Sequence, residues 1–172
     1  MAIDQRDEIW NAAFDTYYDA FYEEICADKL INRWQKLDET SKVLVALTAS
    51  TSAVAGWALW TEPHFKPLWS GIAGIAALLT ILHASLSVSG RIKDQAEIKR
   101  LFASLRIDLE TFRYRMRFDP SFSIPDFTKE FSAYRDRYSS NMQLLRNDVA
   151  RTKGLQERSQ AQVDEILAPE IQ

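Results

Sequence analysis

The sequence predicts an all-α protein: a transmembrane helical hairpin carrying long cytoplasmic helices that form a coiled-coil-like stalk. Three observations lead there. Residues 43–61 and 68–90 contain no Asp, Glu, Lys or Arg, while the flanking chain is dense in charge. Between them stands Glu62-Pro63-His64-Phe65-Lys66-Pro67, a breaker with two prolines. On both sides apolar residues recur at helical spacing, and no strand alternation is evident. The expected regions are an amphipathic helical segment over 1–42, the hairpin over 43–90 and a helical region over 91–172.

The first helix is expected over residues 4–41. Trp10, Phe14, Tyr17, Phe21 and Ile25 follow at spacings of 4, 3, 4 and 4, and the stripe resumes, shifted, at Leu30, Trp34 and Leu37. No Pro or Gly interrupts it, so helix can continue directly into the first uncharged run. The two runs hold 19 and 23 residues, each enough to cross ~30 Å of hydrocarbon at ~1.5 Å per residue. Trp57, Trp60 and Trp69 cluster beside the breaker, where interfacial indoles belong. Lys36 and Lys42 precede the first run and Arg91, Lys93, Lys99 and Arg100 follow the second, whereas the breaker carries Lys66 alone. This bias places both termini in the cytoplasm.

After the hairpin, Ile98, Phe102, Leu105, Leu109, Phe112 and Met116 follow at spacings of 4, 3, 4, 3 and 4, a candidate assembly seam of coiled-coil type. The aromatic stripes are wider than one chain is expected to bury, so a homo-oligomer is expected. A turn with two prolines over 119–126 leads to a last helix from about Phe127. Phe131, Tyr134, Tyr138, Met142, Leu145 and Val149 line one side of it; it weakens at Gly154 and stops before Pro169.

The uncharged runs are not uniformly apolar. Residues 48–52 read TASTS, and Ala49/Ala53 and Ser52/Gly56 are pairs of small residues four apart. In the second run Ala73, Ala76, Thr80, His83, Ser87 and Gly90 form one stripe, and Ile72, Ile75, Leu79, Leu82 and Leu86 form another. Thr48, Ser52, Thr80, His83 and Ser87 are therefore candidates for a polar membrane face. Such a face packs against the other helix of the hairpin, or it meets other subunits or lines a water-filled passage. An ionisable side chain such as His83 in a membrane segment is costly and marks a functional candidate.

Charge is distributed unevenly beneath a net −3. Residues 1–28 hold eight acids and one base, and residues 91–117 hold eight bases and four acids. Pairing between them is expected, with Asp15, Asp19, Glu23 and Glu24 as acceptors. Arg113, Arg115 and Arg117 alternate around a helix with Tyr114 as the one aromatic between them, so nucleic acid or nucleotide binding is not expected. Cys26 is the single cysteine; it excludes an internal disulfide and suits a reducing compartment. The acidic start MAIDQRDEIW has no apolar core of a secretory signal. No nucleophile elbow, zinc-protease motif, glycine-rich phosphate loop or CxxC occurs, and the positions of His64 and His83 do not suit a shared metal. No enzyme, cofactor or metal is expected.

The acidic-aromatic helix, Trp34-Gln35-Lys36-Leu37-Asp38 leading into the first run, the short hairpin and LTILHASLSVSGRIKDQAEIKRLFASLRIDLETF together resemble the SLATT-type two-transmembrane proteins. The likeness covers roughly residues 10–115. It implies a membrane effector of bacterial conflict and antiphage systems that forms pores or disrupts the bilayer when a cytoplasmic sensor partner is triggered. It brings no catalytic residues, and the tail after Asp119 lies outside it. The alternative expectation is a non-conducting membrane-anchored scaffold whose stalk docks a cytoplasmic partner.

Overall fold

The computed structural model describes residues 5–60, 64, 67, 70–71, 74–78, 81, 87–119, 123–145 and 148–171, with side chains excepted at 47–60 and 170–171. Four long helices are described: α1 (Gln5–Trp60), α2 (Val88–Phe118), α3 (Ile124–Gln143) and α4 (Lys153–Ile171). No strand occurs among the described residues. The all-α class is thus borne out. Among the described residues no helix is long and apolar enough to cross a membrane; eleven of the 23 positions of the run 68–90 lie outside those residues.

α1 passes through residue 41 without a break and ends at Trp60, because nothing between the aromatic stripe and the first uncharged run interrupts its backbone hydrogen bonding. α2 begins at Val88, inside the run expected to end at Gly90. The cause sits at Ser87, whose φ of 48° is left-handed and breaks any helix arriving from the N-terminal side. Its carbonyl accepts from Arg91 N at 3.0 Å, which opens α2. At α3, Ser123 is the cap: its hydroxyl accepts from Asp126 N and donates to the Asp126 carboxylate, with Pro125 in the first turn.

The last helix expected from sequence is two helices, and the break precedes Gly154. α3 ends at Gln143, and Asp148 Oδ1 then accepts from Ala150 N at 2.8 Å, a side-chain turn that competes with helix. Thr152 O accepts from Leu155 N and Gln156 N to start α4. Val149 therefore leaves the apolar stripe and is exposed. Pro169 lies inside α4, in its last turn, where few backbone bonds remain to be lost.

The chain divides into two compact units. The first comprises Met1–Leu30 and Asp94–Gln172. Its core gathers Tyr17, Ala20 and Ile25 of α1, Ile98, Phe102, Leu105 and Leu109 of α2, and Val163 and Leu167 of α4, with Phe131, Tyr134 and Tyr138 of α3 packed against it. Ala13, Phe112, Met116 and Phe127 form a second cluster, and Cys26, Leu30 and Leu155 a third. The second unit is Ile31–Lys93; within it Trp34, Ser41 and Val88 are buried, and the Arg91 guanidinium lies 5.6 Å over the Trp34 ring.

Candidate functional site

Of the five candidates for a polar membrane face, the side chains of Thr48, Ser52, Thr80 and His83 lie outside the described residues. Ser87 is described: it is an exposed turn residue with left-handed backbone. It does not continue a helical stripe into Gly90, which belongs to α2. Ile75, Leu78 and Ile81 are exposed, whereas Ala76, on the small stripe, is half-buried.

The candidate assembly seam occupies a different place from the one expected. Ile98, Phe102, Leu105, Leu109, Phe112 and Met116 are all buried inside the first unit of a single chain. Phe102 meets Tyr138 edge-on at 6.1 Å, and Phe112 meets Phe127 edge-on at 5.6 Å. Within one chain these stripes are covered by α3, which brings Phe127, Phe131, Tyr134 and Tyr138, and by α4, which brings Leu155, Val163 and Leu167.

Charge pairing between the acidic start and the basic middle is present. Arg106 Nε donates to Glu24 Oε2 at 2.6 Å, and Lys99 donates to Asp28 at 2.7 Å. Glu23 is held by Arg151, beyond α3, at 2.7 Å. Burial works against the Arg151 charge, but the hydrogen bond and charge of Glu23, with Cys26 and Tyr22, together outweigh it and raise the guanidinium pKa. Asp19 accepts from the Tyr138 hydroxyl at 3.5 Å; burial, then the neighbouring Asp15, pushes its carboxyl up. Arg115 reaches Glu130 of α3.

Arg113 takes another course, unforeseen in the linear reading. Its guanidinium lies 4.7 Å from the Trp10 and Phe14 ring centres and 5.3 Å from that of Tyr17. Ring faces attract a planar, weakly hydrated cation, so the aromatic stripe of α1 serves α2 as a track for arginine as well as core. The available signal was the stripe itself, since aromatics repeating at helical spacing offer their faces to whatever helix packs beside them.

Among the described residues no group of His, Cys, Asp and Glu could hold a metal ion, and Cys26 is buried as a free thiol. No family model, curated protein or solved structure matches the chain.

Proposed function

We propose that the chain is a bacterial membrane effector. In this reading residues 43–90 seat in the inner membrane as a hairpin, with both termini in the cytoplasm and the first unit as a self-contained cytoplasmic body. The protein oligomerises and, when a partner sensor triggers it, permeabilises or depolarises the membrane in antiphage defence, as the SLATT-like layout implies. One observation supports this most. Val43, Ile75, Leu78 and Ile81 of the second unit are 57%, 58%, 62% and 61% exposed. Water penalises such a surface, whereas a bilayer accepts it. The half-buried Ala76 beside exposed Ile75 fits helices that turn small residues to protein and bulky ones to lipid.

The test is conduction. Thr80→Val/His83→Leu/Ser87→Ala removes polar side chains with changes that lipid tolerates. Cells expressing this variant with its trigger should keep it in the membrane but lose the depolarisation and growth arrest of the parent. Depolarisation equal to the parent would reduce the polar face to packing.

A non-conducting membrane-anchored scaffold is the second reading, and one observation favours it. The Ile98–Met116 seam is consumed inside one chain, so it offers nothing to a second copy. Oligomer contacts then fall to small-residue pairs such as Ala49/Ala53 in the first run. If crosslinking in membranes yields monomer only, the scaffold reading stands.

A further inference from the structure

Against α1, the outer side of α2 leaves a cleft of about 530 Å³. Trp10, Asn11, Phe14, Arg113, Tyr114 and Arg117 line it, all within the first unit. Its chemistry differs from that of the core beneath. Two guanidiniums face one carboxylate, Glu110, and that carboxylate also lies 3.7 Å from Arg106. The cleft is therefore cationic on a chain of net charge −3. It is also aromatic. The Arg113 guanidinium is stacked against Trp10 and Phe14, and the Tyr114 ring lies nearly parallel to that of Phe118, 6.2 Å apart at 13°. Arg117 sits 5.7 Å over Phe118 and, among the described residues, has no carboxylate partner.

We propose that this cleft binds a small aromatic anion of nucleoside-monophosphate size. Tyr114 and Trp10 offer ring faces to a planar heterocycle. Arg117 supplies a forked donor for a phosphate, and Asn11 and Glu110 offer hydrogen-bonding groups to the edge of the ring. Exposure supports ligand over structure: Tyr114 is 57% exposed, so folding of the unit does not account for placing an aromatic beside Arg117 there. Size selects the class. A volume of this order suits one small molecule, whereas a nucleic-acid strand needs a continuous basic track. Every arginine of α2 other than Arg117 is engaged, Arg91 on Trp34, Arg100 with Glu97, Arg106 with Glu24, Arg113 on Trp10 and Phe14 and Arg115 with Glu130. The linear sequence argued against such a site because Tyr114 was the one aromatic among the arginines; the fold brings Trp10 and Phe14 to them from about a hundred positions away.

The inference is independent of what the second unit does. It is tested by calorimetric titration of the purified full-length protein in detergent with adenosine and guanosine monophosphates. Adenosine and inorganic phosphate separate the ring from the charge. At least one monophosphate should bind, and adenosine and phosphate should each bind at least about tenfold more weakly, the loss of roughly one charged or stacked contact. Arg117→Ala should weaken monophosphate binding about tenfold and Tyr114→Ala several-fold. Both positions are exposed, so helical content and unfolding midpoint should stay at parent values. Absence of binding at millimolar monophosphate, equal affinity for inorganic phosphate, or affinity untouched by both substitutions would overturn it.

Discussion

In the unit of Met1–Leu30 and Asp94–Gln172, Phe102, Leu105, Leu109 and Phe112 are wholly buried; in Ile31–Lys93, Ile75, Leu78 and Ile81 stand open. The first unit does what water demands of a chain: it closes its apolar faces upon themselves. The second leaves these three bulky side chains exposed while it buries Trp34 and Val88. Some apolar side chains of the first unit are exposed too, such as Ile107 and Val149, and single ones are ordinary on any surface. The first unit is stabilised by its own core; in our proposal lipid covers the exposed side chains of the second.

The largest expected effect comes from breaking that core. Phe102→Ala opens a cavity beside Tyr138 and should cost the first unit about 3–5 kcal/mol. Leu78→Ala, in the second unit, should leave its denaturant midpoint unchanged. Equal losses in chemical unfolding would erase the distinction between the units.

A smaller loss should follow from the Glu23–Arg151 pair, in which Glu23 is nearly enclosed. Arg151→Met strands that carboxylate, and a cost of about 2–3 kcal/mol is expected, below that of a deeply buried pair because Arg151 keeps some access to solvent. Glu23→Gln/Arg151→Met should recover part of it. A double variant no better than Arg151→Met would show that the arginine acts through packing alone.

The smallest effect is one of pH. Burial, then a bond to Glu130, pushes the Tyr134 phenol up to about 12; burial, then the charge of Asp19, does the same for Tyr138, against an ordinary value of 10.0. The folded state thus holds these protons more tightly than the unfolded chain. Their contribution is full below pH 10 and is lost as pH rises to about 12. Stability of the first unit should fall across that window, and Tyr134→Phe/Tyr138→Phe should flatten the fall. A flat parent profile would contradict the burial of these phenols.

How much of this was legible in the sequence follows from what periodicity can carry. Spacing placed Trp10 to Ile25 and Ile98 to Met116 on single faces, and those faces are covered. Spacing does not say by what. A heptad row reads alike whether its partner is a second copy or a helix later in the same chain, and here α3 and α4 are the partners. The α3–α4 break was hidden because Val149 kept the apolar rhythm while Asp148 bonded to Ala150 N and ended it. Ser87 fitted a helical stripe on paper, but left-handed φ is a backbone property that a serine does not announce. The cleft at Arg113 was invisible because its aromatics and arginines come from opposite parts of the chain.

The central claim is that residues 43–90 form a membrane hairpin with the first unit on its cytoplasmic side. The direct measurement places single cysteines at Lys66 and at Gln172, in a background with Cys26 replaced, and treats whole cells with a membrane-impermeant thiol reagent. The account predicts labelling at position 66 in intact cells and at position 172 only after the membrane is opened. Equal labelling of both positions in intact cells, or a protein that never sediments with membranes, would contradict it.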